Sequence, residues 1–204
     1  MKKLNFLFYL ILLAACSNDD SSPIDSLPAA TQIGANTFGC LIDGKLYKPR
    51  CEKPSVVFPE SALVVWGIPG NDSAIEIEVS DLLSPNYFNM IIHLNDVGDL
   101  KEAVYQFDES NGQNSIDGLD NNYINCILYN NKTKQLSQYV SFSSSGSIEI
   151  SKFTLDDNST NPNPIISGIF NLKLKNINDN SDILEVTNGR FDINSLTVIY
   201  KEFP

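Results

Sequence analysis

The stretch AIEIEVS (residues 74–80) decides the fold class. Apolar Ile75, Ile77 and Val79 alternate with polar residues, and a period of two residues is typical of a half-buried β-strand. Similar stretches follow one another along the chain, separated by Asn, Asp, Gly, Ser and Pro clusters, and only residues 97–104 have the pattern of a helical turn. The sequence therefore predicts an all-β fold, an antiparallel β-sandwich or barrel of roughly a dozen short strands with little helix.

Two dipeptides predict tight hairpin turns between such stretches. Asp43-Gly44 separates TFGCLI from KLYK, and Asn188-Gly189 separates ILEVT from RFDI. Asp-Gly and Asn-Gly favour the type I′ turn, whose two central residues both have positive φ. The last predicted strand is LTVIYKEF (196–203).

The N-terminus has the features of an export signal. Lys2 and Lys3 precede an apolar run over residues 4–13, which is too short to cross a bilayer as a helix. The residues Leu-Ala-Ala before Cys16 resemble a bacterial lipobox, in which the leader is cut just before the cysteine and the thiol carries the lipid. Residues 1–15 are therefore predicted to be a lipoprotein signal peptide, and Cys16 the lipidated first residue of the mature protein.

A polar segment follows the predicted anchor. Residues 16–36 are rich in Ser, Asn, Asp, Pro and Ala without an apolar period, which predicts a flexible acidic linker ahead of a single all-β domain at 37–204. The pair Asp19-Asp20 resembles the acidic export signal of Bacteroidetes lipoproteins, which implies an outer-membrane location facing the cell exterior. The membrane is thus an expected partner, through the lipid.

The charge of the chain bears on its other partners. The formal net charge is −11, and it becomes more negative once the two leader lysines are removed. Nucleic acids and anionic lipids require basic surfaces, so the sequence predicts no nucleic-acid partner. The same charge would suit a cationic partner.

Four stretches together resemble a family of Bacteroidetes and Flavobacteria lipoproteins of unknown function. They are NTFGCLIDGKLYKP (36–49), GSIEISKFTLD (146–156), IISGIFNLKL (165–174) and EVTNGRFDI (185–193). The resemblance implies an all-β domain at the cell surface and brings no activity with it. Within the last motif, Arg190 and Asp192 alternate with a phenylalanine, and we expect them to form an ion pair at the rim of the domain.

Three cysteines remain after the predicted anchor. An exported protein can keep disulfides, and pairing of Cys40 with Cys51 is the first possibility, with Cys40–Cys126 as the alternative. Cys126 alternates with aliphatic residues, so it is also expected to face the core as a small hydrophobe.

No catalytic, metal or cofactor site is predicted. His93 is the only histidine, and no GxSxG nucleophile elbow occurs. Zinc would need several clustered His or Cys ligands. The run NINDNSD (176–182) places oxygen ligands at alternate positions but lacks the glycine and glutamate of a calcium loop.

Three functions stay open at this point. The first is a non-catalytic binding or structural module that contacts a surface protein or glycan. The second is a glycan-binding module with Trp66 in a row of stacking aromatics, whose other members would be Tyr87, Phe88, Tyr105, Tyr123 and Tyr129. The third is a hydrolase, which requires two facing carboxylates from among Glu76, Glu78 and Glu149, or His93 beside a serine and an aspartate.

Two serines are candidate modification sites. Ser26 and Ser73 each follow an aspartate and precede an aliphatic residue, which resembles the O-glycosylation sequon of exported Bacteroidetes proteins.

Overall fold

The computed structural model describes residues 22–51, 61–67, 74–84, 87–95, 100–130, 133–154 and 164–204. Within these ranges the chain forms eleven strands and three short 3₁₀ turns. The strands are β1 (Thr37–Ile42), β2 (Lys45–Tyr47), β3 (Leu63–Trp66), β4 (Ala74–Asp81), β5 (Phe88–Asn95), β6 (Ala103–Gln106), β7 (Tyr123–Asn130), β8 (Gln135–Val140), β9 (Gly146–Phe153), β10 (Ile165–Asn176) and β11 (Asp179–Asn194). The predicted all-β, antiparallel fold is confirmed.

The strands form one antiparallel sheet that folds over on itself into two layers. The hydrogen-bonded order is β2-β1-β11-β10-β8-β7-β5-β4-β3, with β9 and then β6 branching from β10. The long strand β10 joins the layers, because its first part pairs with β9 and its last residues pair with β8. Tyr47 of β2 and Phe88 of β5 are distant in this order, yet their ring centroids are 4.8 Å apart, so the two layers pack face to face.

The apolar face of each strand fills the space between the layers. Ile75, Ile77 and Val79 of β4 are at most 1% exposed, as their alternation predicts, and they belong to a single continuous core. Across the layer boundary they share that core with the aromatic rings of Phe170 and Phe191. Burial of such aliphatic and aromatic side chains stabilises the fold by about 1.5–3 kcal/mol each.

The first predicted hairpin is confirmed. Asp43 and Gly44 have φ values of +48° and +75°, and Ile42 pairs directly with Lys45 across the turn. Positive φ at both central residues is the requirement of a type I′ turn, and it explains the Asp-Gly sequence.

The second predicted hairpin is wrong. Strand β11 runs without interruption through Asn188-Gly189, and the registers with both neighbouring strands shift close to these residues. Asn188 has a φ of +54°, so it provides the extra residue of a β-bulge rather than a turn. Gly189 is required there, because a Cβ atom would lie 2.5 Å from the ring of Phe170.

The C-terminal strand prediction is also wrong. Residues Val198–Tyr200 form a 3₁₀ turn, and the side chains of Ile199 and Tyr200 are exposed instead of alternating into the core. Val198 and Phe203 are buried, and this pair of contacts holds the C-terminal segment on the domain. Of the predicted helical turn at 97–104, residues 97–99 lie outside the described ranges, and Ala103–Gln106 is strand β6.

Asp192 is buried and binds the segment that precedes β1. Its carboxylate accepts hydrogen bonds from the Ser167 hydroxyl (2.7 Å) and from the Thr31 hydroxyl. It also accepts them from three backbone amides, those of Ile33 (3.1 Å), Gly34 (2.8 Å) and Ala35 (3.1 Å). The predicted ion pair between Arg190 and Asp192 at the rim of the domain is therefore wrong.

The segment before β1 is part of the domain over much of its length. Leu27 and Asn36 are buried, and Asn36 Nδ2 donates to the Thr197 hydroxyl (2.8 Å). For residues 27–36 the structure thus differs from the predicted flexible linker, because a distant carboxylate and these polar contacts hold them. Residues 16–21 of the predicted linker, and the predicted signal peptide, lie outside the described ranges.

The cysteines of the domain are free thiols. Cys40, Cys51 and Cys126 are all buried, and none of them forms a disulfide, so neither predicted pairing is present. Burial raises the pKa of the Cys40 and Cys126 thiols well above the ordinary value, and Cys126 faces the core as predicted. In these positions the thiols behave as small apolar groups.

Candidate functional site

The outward face of strands β3, β4, β5 and β7, here called the outer face, carries an unusual number of polar side chains. Trp66 lies opposite Glu76, Glu76 opposite His93, and His93 opposite Tyr123. Directly opposite side chains on one face of an antiparallel sheet are in contact distance. One row of side chains therefore crosses four strands, and its two ends differ in exposure.

The exposed end is formed by Trp66, Glu78 and Asn89, here called the indole site. Trp66 is 55% exposed, and its Nε1 donates to Oε2 of Glu78 at 2.9 Å. Asn89 Nδ2 donates to the other oxygen of the same carboxylate, also at 2.9 Å. The carboxylate thus binds two donors, and the indole is held in one orientation while its ring remains open to solvent.

Glu76, His93 and Tyr123 form the covered cluster at the other end of the row. His93 Nδ1 lies 2.9 Å from Oε1 of Glu76, and the imidazole stacks on the Tyr123 ring with centroids 4.3 Å apart and planes inclined by 6°. His93 is 4% exposed and Tyr123 is fully buried, although both point away from the core. Outward side chains with so little exposure must be covered by another part of the chain.

The cover is the loop 108–122. Its ends are joined by a hydrogen bond from Asp108 N to Asn122 O (2.9 Å), which makes it a compact Ω-loop. Ser115 N donates to Glu76 Oε1 (2.7 Å), and Asn125 on β7 donates to the carbonyl of Gln113 (2.8 Å). The loop is therefore held on the outer face by hydrogen bonds to polar side chains of the sheet.

These contacts set the protonation behaviour of the covered cluster. Burial alone would raise the pKa of the Glu76 carboxyl, but hydrogen bonds from His93 and from Ser115 N outweigh it and lower that pKa below its ordinary value. Burial and the neighbouring Glu76 charge raise the pKa of the Tyr123 hydroxyl. At neutral pH the cluster thus contains an ionised carboxylate beside a neutral phenol.

Of the aromatic residues predicted to form a stacking row, two are well exposed. Trp66 (55%) and Tyr87 (38%) are open to solvent, whereas Phe88 and Tyr123 are fully buried. Burial and the Glu78 charge raise the pKa of Tyr87, which precedes Asn89 by two residues at the start of β5. The aromatic surface is therefore a pair of residues beside a carboxylate rather than a long row.

The carboxylates named for a hydrolase are arranged differently from what that function needs. Glu76 and Glu78 lie side by side on β4, and Glu149 lies on β9 in the other layer. The hydrogen-bonding partner of His93 is Glu76, whereas a triad would need an aspartate and a serine hydroxyl. Among the described residues, no group of three or more His, Cys, Asp or Glu side chains is placed to hold a metal ion.

The run NINDNSD, examined above as a calcium loop, forms the β10–β11 turn. Asp182 turns inward, where its Oδ2 accepts from Tyr139 (2.7 Å) and from Asn176 (3.1 Å). One carboxylate oxygen of Asp182 is therefore bound within the fold.

Of the three predicted modification sites, only Ser26 lies within the described residues. Cys16 and Ser73 lie outside the described residues. Ser26 is exposed at the end of the 3₁₀ turn Pro23–Ser26, directly before buried Leu27. O-glycosylation at Ser26 remains a prediction.

The comparisons with known proteins add no relative. No protein-family model, curated protein or solved structure matches the chain. The resemblance to the Bacteroidetes lipoprotein family thus remains a prediction. In the described part of the chain, none of the helical turns has the length and hydropathy of a membrane-crossing helix.

Proposed function

We propose that this protein is a non-catalytic binding module, attached to the outer membrane by a lipid on Cys16 and facing the cell exterior, and that its ligand is a glycan. The observation that carries the proposal is the indole site. Trp66 exposes more than half of its surface, although its polar atom is satisfied within the protein. An exposed tryptophan whose ring is held in one orientation offers a surface on which a ligand can stack.

The chemistry of the site favours a sugar over a purely apolar ligand. An indole ring can stack on the C–H face of a pyranose, and the neighbouring groups can hydrogen-bond to its hydroxyls. Glu78 has an acceptor pair already oriented by two donors, and Asn89 also contacts the Ser80 hydroxyl at 3.0 Å. Tyr87 extends the aromatic surface on the same side. An open sheet face of this kind suits an extended chain of sugars.

The first test is a glycan array followed by isothermal titration of the glycans that bind. Trp66→Ala should weaken binding about two- to twelvefold, since stacking on an aromatic ring is worth about 0.5–1.5 kcal/mol. Tyr200→Ala is the matched control, because Tyr200 is 80% exposed but lies in the C-terminal 3₁₀ turn. Both variants should unfold at the same temperature as the natural protein. The glycan proposal would be abandoned if no glycan bound saturably, or if both variants bound equally well.

The second test concerns the anchor. Cys16→Ser should abolish incorporation of labelled palmitate and release the protein from the membrane fraction. Ser26→Ala is the control that should leave both unchanged. Protease added to intact cells should degrade the anchored protein, and full protection would contradict the exterior location.

A further inference from the structure

A second concave site lies at one end of the sandwich, away from the outer-face cluster. A pocket of about 160 Å³ opens between the β1–β2 hairpin, the C-terminal end of β7 and the first residues of β11. It is lined by the charged residues Asp43, Lys45 and Asp182 and by the tyrosines Tyr47, Tyr129 and Tyr139. At about 30 Å³ per water molecule, this is room for roughly five waters.

One carboxylate of the pocket is fixed by the protein on one side and open on the other. Oδ2 of Asp182 accepts hydrogen bonds from Tyr139 (2.7 Å), Asn176 (3.1 Å) and Asn130 (3.3 Å). These three donor residues are at least nine-tenths buried. In the described part of the chain, Oδ1 of Asp182 accepts no hydrogen bond, so an oriented anionic oxygen remains available.

The second carboxylate has the same one-sided arrangement. Oδ1 of Asp43 accepts from Glu185 N at 2.9 Å, and its other oxygen has no donor among the described residues. The type I′ turn holds the Asp43 backbone, and Glu185 is near Asp182 on β11. Two fixed carboxylates thus line one small space.

The pocket's single ammonium group is exposed. Lys45 pairs with no carboxylate within the described residues, so it does not neutralise Asp43 or Asp182 through a direct ion pair. Burial and the neighbouring Asp182 raise the pKa of Tyr139 to about 12, and burial raises the pKa of Tyr47, so these two tyrosines are uncharged at neutral pH. Two anionic groups and two neutral aromatic rings attract a cation and repel an anion.

We propose that this pocket binds a protonated primary amine, with the ammonium group between the free oxygens of Asp43 and Asp182 and the carbon chain against the tyrosine rings. The volume fits a short alkyl chain, and the acidic surface of the protein raises the local concentration of cations. The amine is either that of a small molecule or the side chain of a lysine in a peptide. The site is separate from the indole site, so this inference does not depend on the glycan proposal.

Titration followed by NMR or calorimetry tests the proposal with matched probes. n-Butylammonium should bind saturably, whereas butan-1-ol, which has the same chain without the charge, should not. N-acetyl-lysine methylamide distinguishes the sources: binding tighter than that of butylammonium indicates a peptide lysine, and weaker binding indicates a small amine.

Isosteric variants locate the binding. Asp43→Asn keeps the turn and an acceptor for Glu185 N, and it should weaken amine binding about three- to fivefold. Asp182→Asn should weaken it about tenfold. Lys45→Met removes the competing charge without touching the aspartates, and it should strengthen binding.

Two controls make the outcome decisive. Asp179→Asn removes an exposed carboxylate of the same turn outside the pocket lining, and Trp66→Ala removes the indole site, so both should bind butylammonium as the natural protein does. Absence of saturable amine binding, equal binding of butan-1-ol, or a Lys45→Met variant that binds no better would overturn the proposal.

Discussion

Replacement of Asp192 by asparagine should strongly destabilise the domain. The carboxylate accepts five hydrogen bonds, and asparagine offers only one acceptor oxygen and introduces a donor in place of the other. If the amide oxygen replaces Oδ2, the donors Gly34 N and Ser167 lose their acceptor. In the opposite orientation, three donors lose it.

The expected loss of stability follows from the orientation of the amide that leaves only two donors without an acceptor. Hydrogen bonds to a charged group contribute about 1.5–3 kcal/mol each, so two lost bonds give a destabilisation of about 3–6 kcal/mol. With a urea dependence of about 2 kcal/mol per molar, the midpoint of unfolding should fall by about 1.5–3 M. Asp179→Asn is the matched control, because that carboxylate is exposed, and its midpoint should not move measurably.

The pH dependence of the same variant gives an independent check. Burial would raise the pKa of Asp192, but the hydrogen bonds from Thr31, Ser167 and the backbone amides lower it. A carboxyl with a lowered folded-state pKa stabilises the protein above its unfolded pKa, about 3.9, and this contribution disappears as the pH falls through the folded-state pKa. The stability difference between the natural protein and Asp192→Asn should thus be constant from pH 7 to about 5 and should narrow below about pH 4. A midpoint shift under 0.5 M (roughly a quarter of that expected), or a difference that grows in acid, would refute the reasoning.

Three further outcomes can be measured on the same protein. Gly189→Ala should cost about 1–3 kcal/mol in urea unfolding, since its Cβ would lie 2.5 Å from the Phe170 ring, and adding Phe170→Leu should recover part of the loss. Glu76→Gln should raise amide hydrogen exchange at Ser115 about tenfold, because the charged acceptor of that amide is lost, whereas Glu78→Gln should leave that exchange unchanged. The buried thiols of the domain should not react with Ellman's reagent until denaturant is added, and rapid reaction of the native protein would contradict their burial.

The fold class was predictable because it depends on a local property, the alternation of apolar and polar side chains. The strand β4 and the Asp43-Gly44 turn follow directly from residues next to one another in the chain. Asn188-Gly189 shows where this reasoning fails. The dipeptide supplies positive φ to a hairpin or to a bulge equally well, and the choice depends on Phe170 and on the two strands that flank β11.

The polar sites were less predictable because their partners are far away in sequence. Asp192 binds residues about 160 positions earlier, and nothing near the GRFD motif signals a buried carboxylate. Glu76 and His93 have the spacing of solvent-exposed strand positions. They are covered only because loop 108–122 returns across the sheet, and the one available signal is that loop's richness in Asn, Asp, Gly and Ser, which is also typical of a solvated turn.

The covered cluster also bears on what the indole site can hold. Trp66 and His93 lie in the same row, but loop 108–122 occupies the surface over His93 and is joined to Glu76 through Ser115 N. A ligand stacked on Trp66 therefore cannot extend along the row past Glu76 while the loop is in place. It can instead leave the row and extend diagonally towards Glu78 and Tyr87, where the surface is open. The proposed glycan should thus lie diagonally across β3, β4 and β5. Glu76→Gln, which loosens the loop, should strengthen array binding of glycans long enough to extend past Glu76.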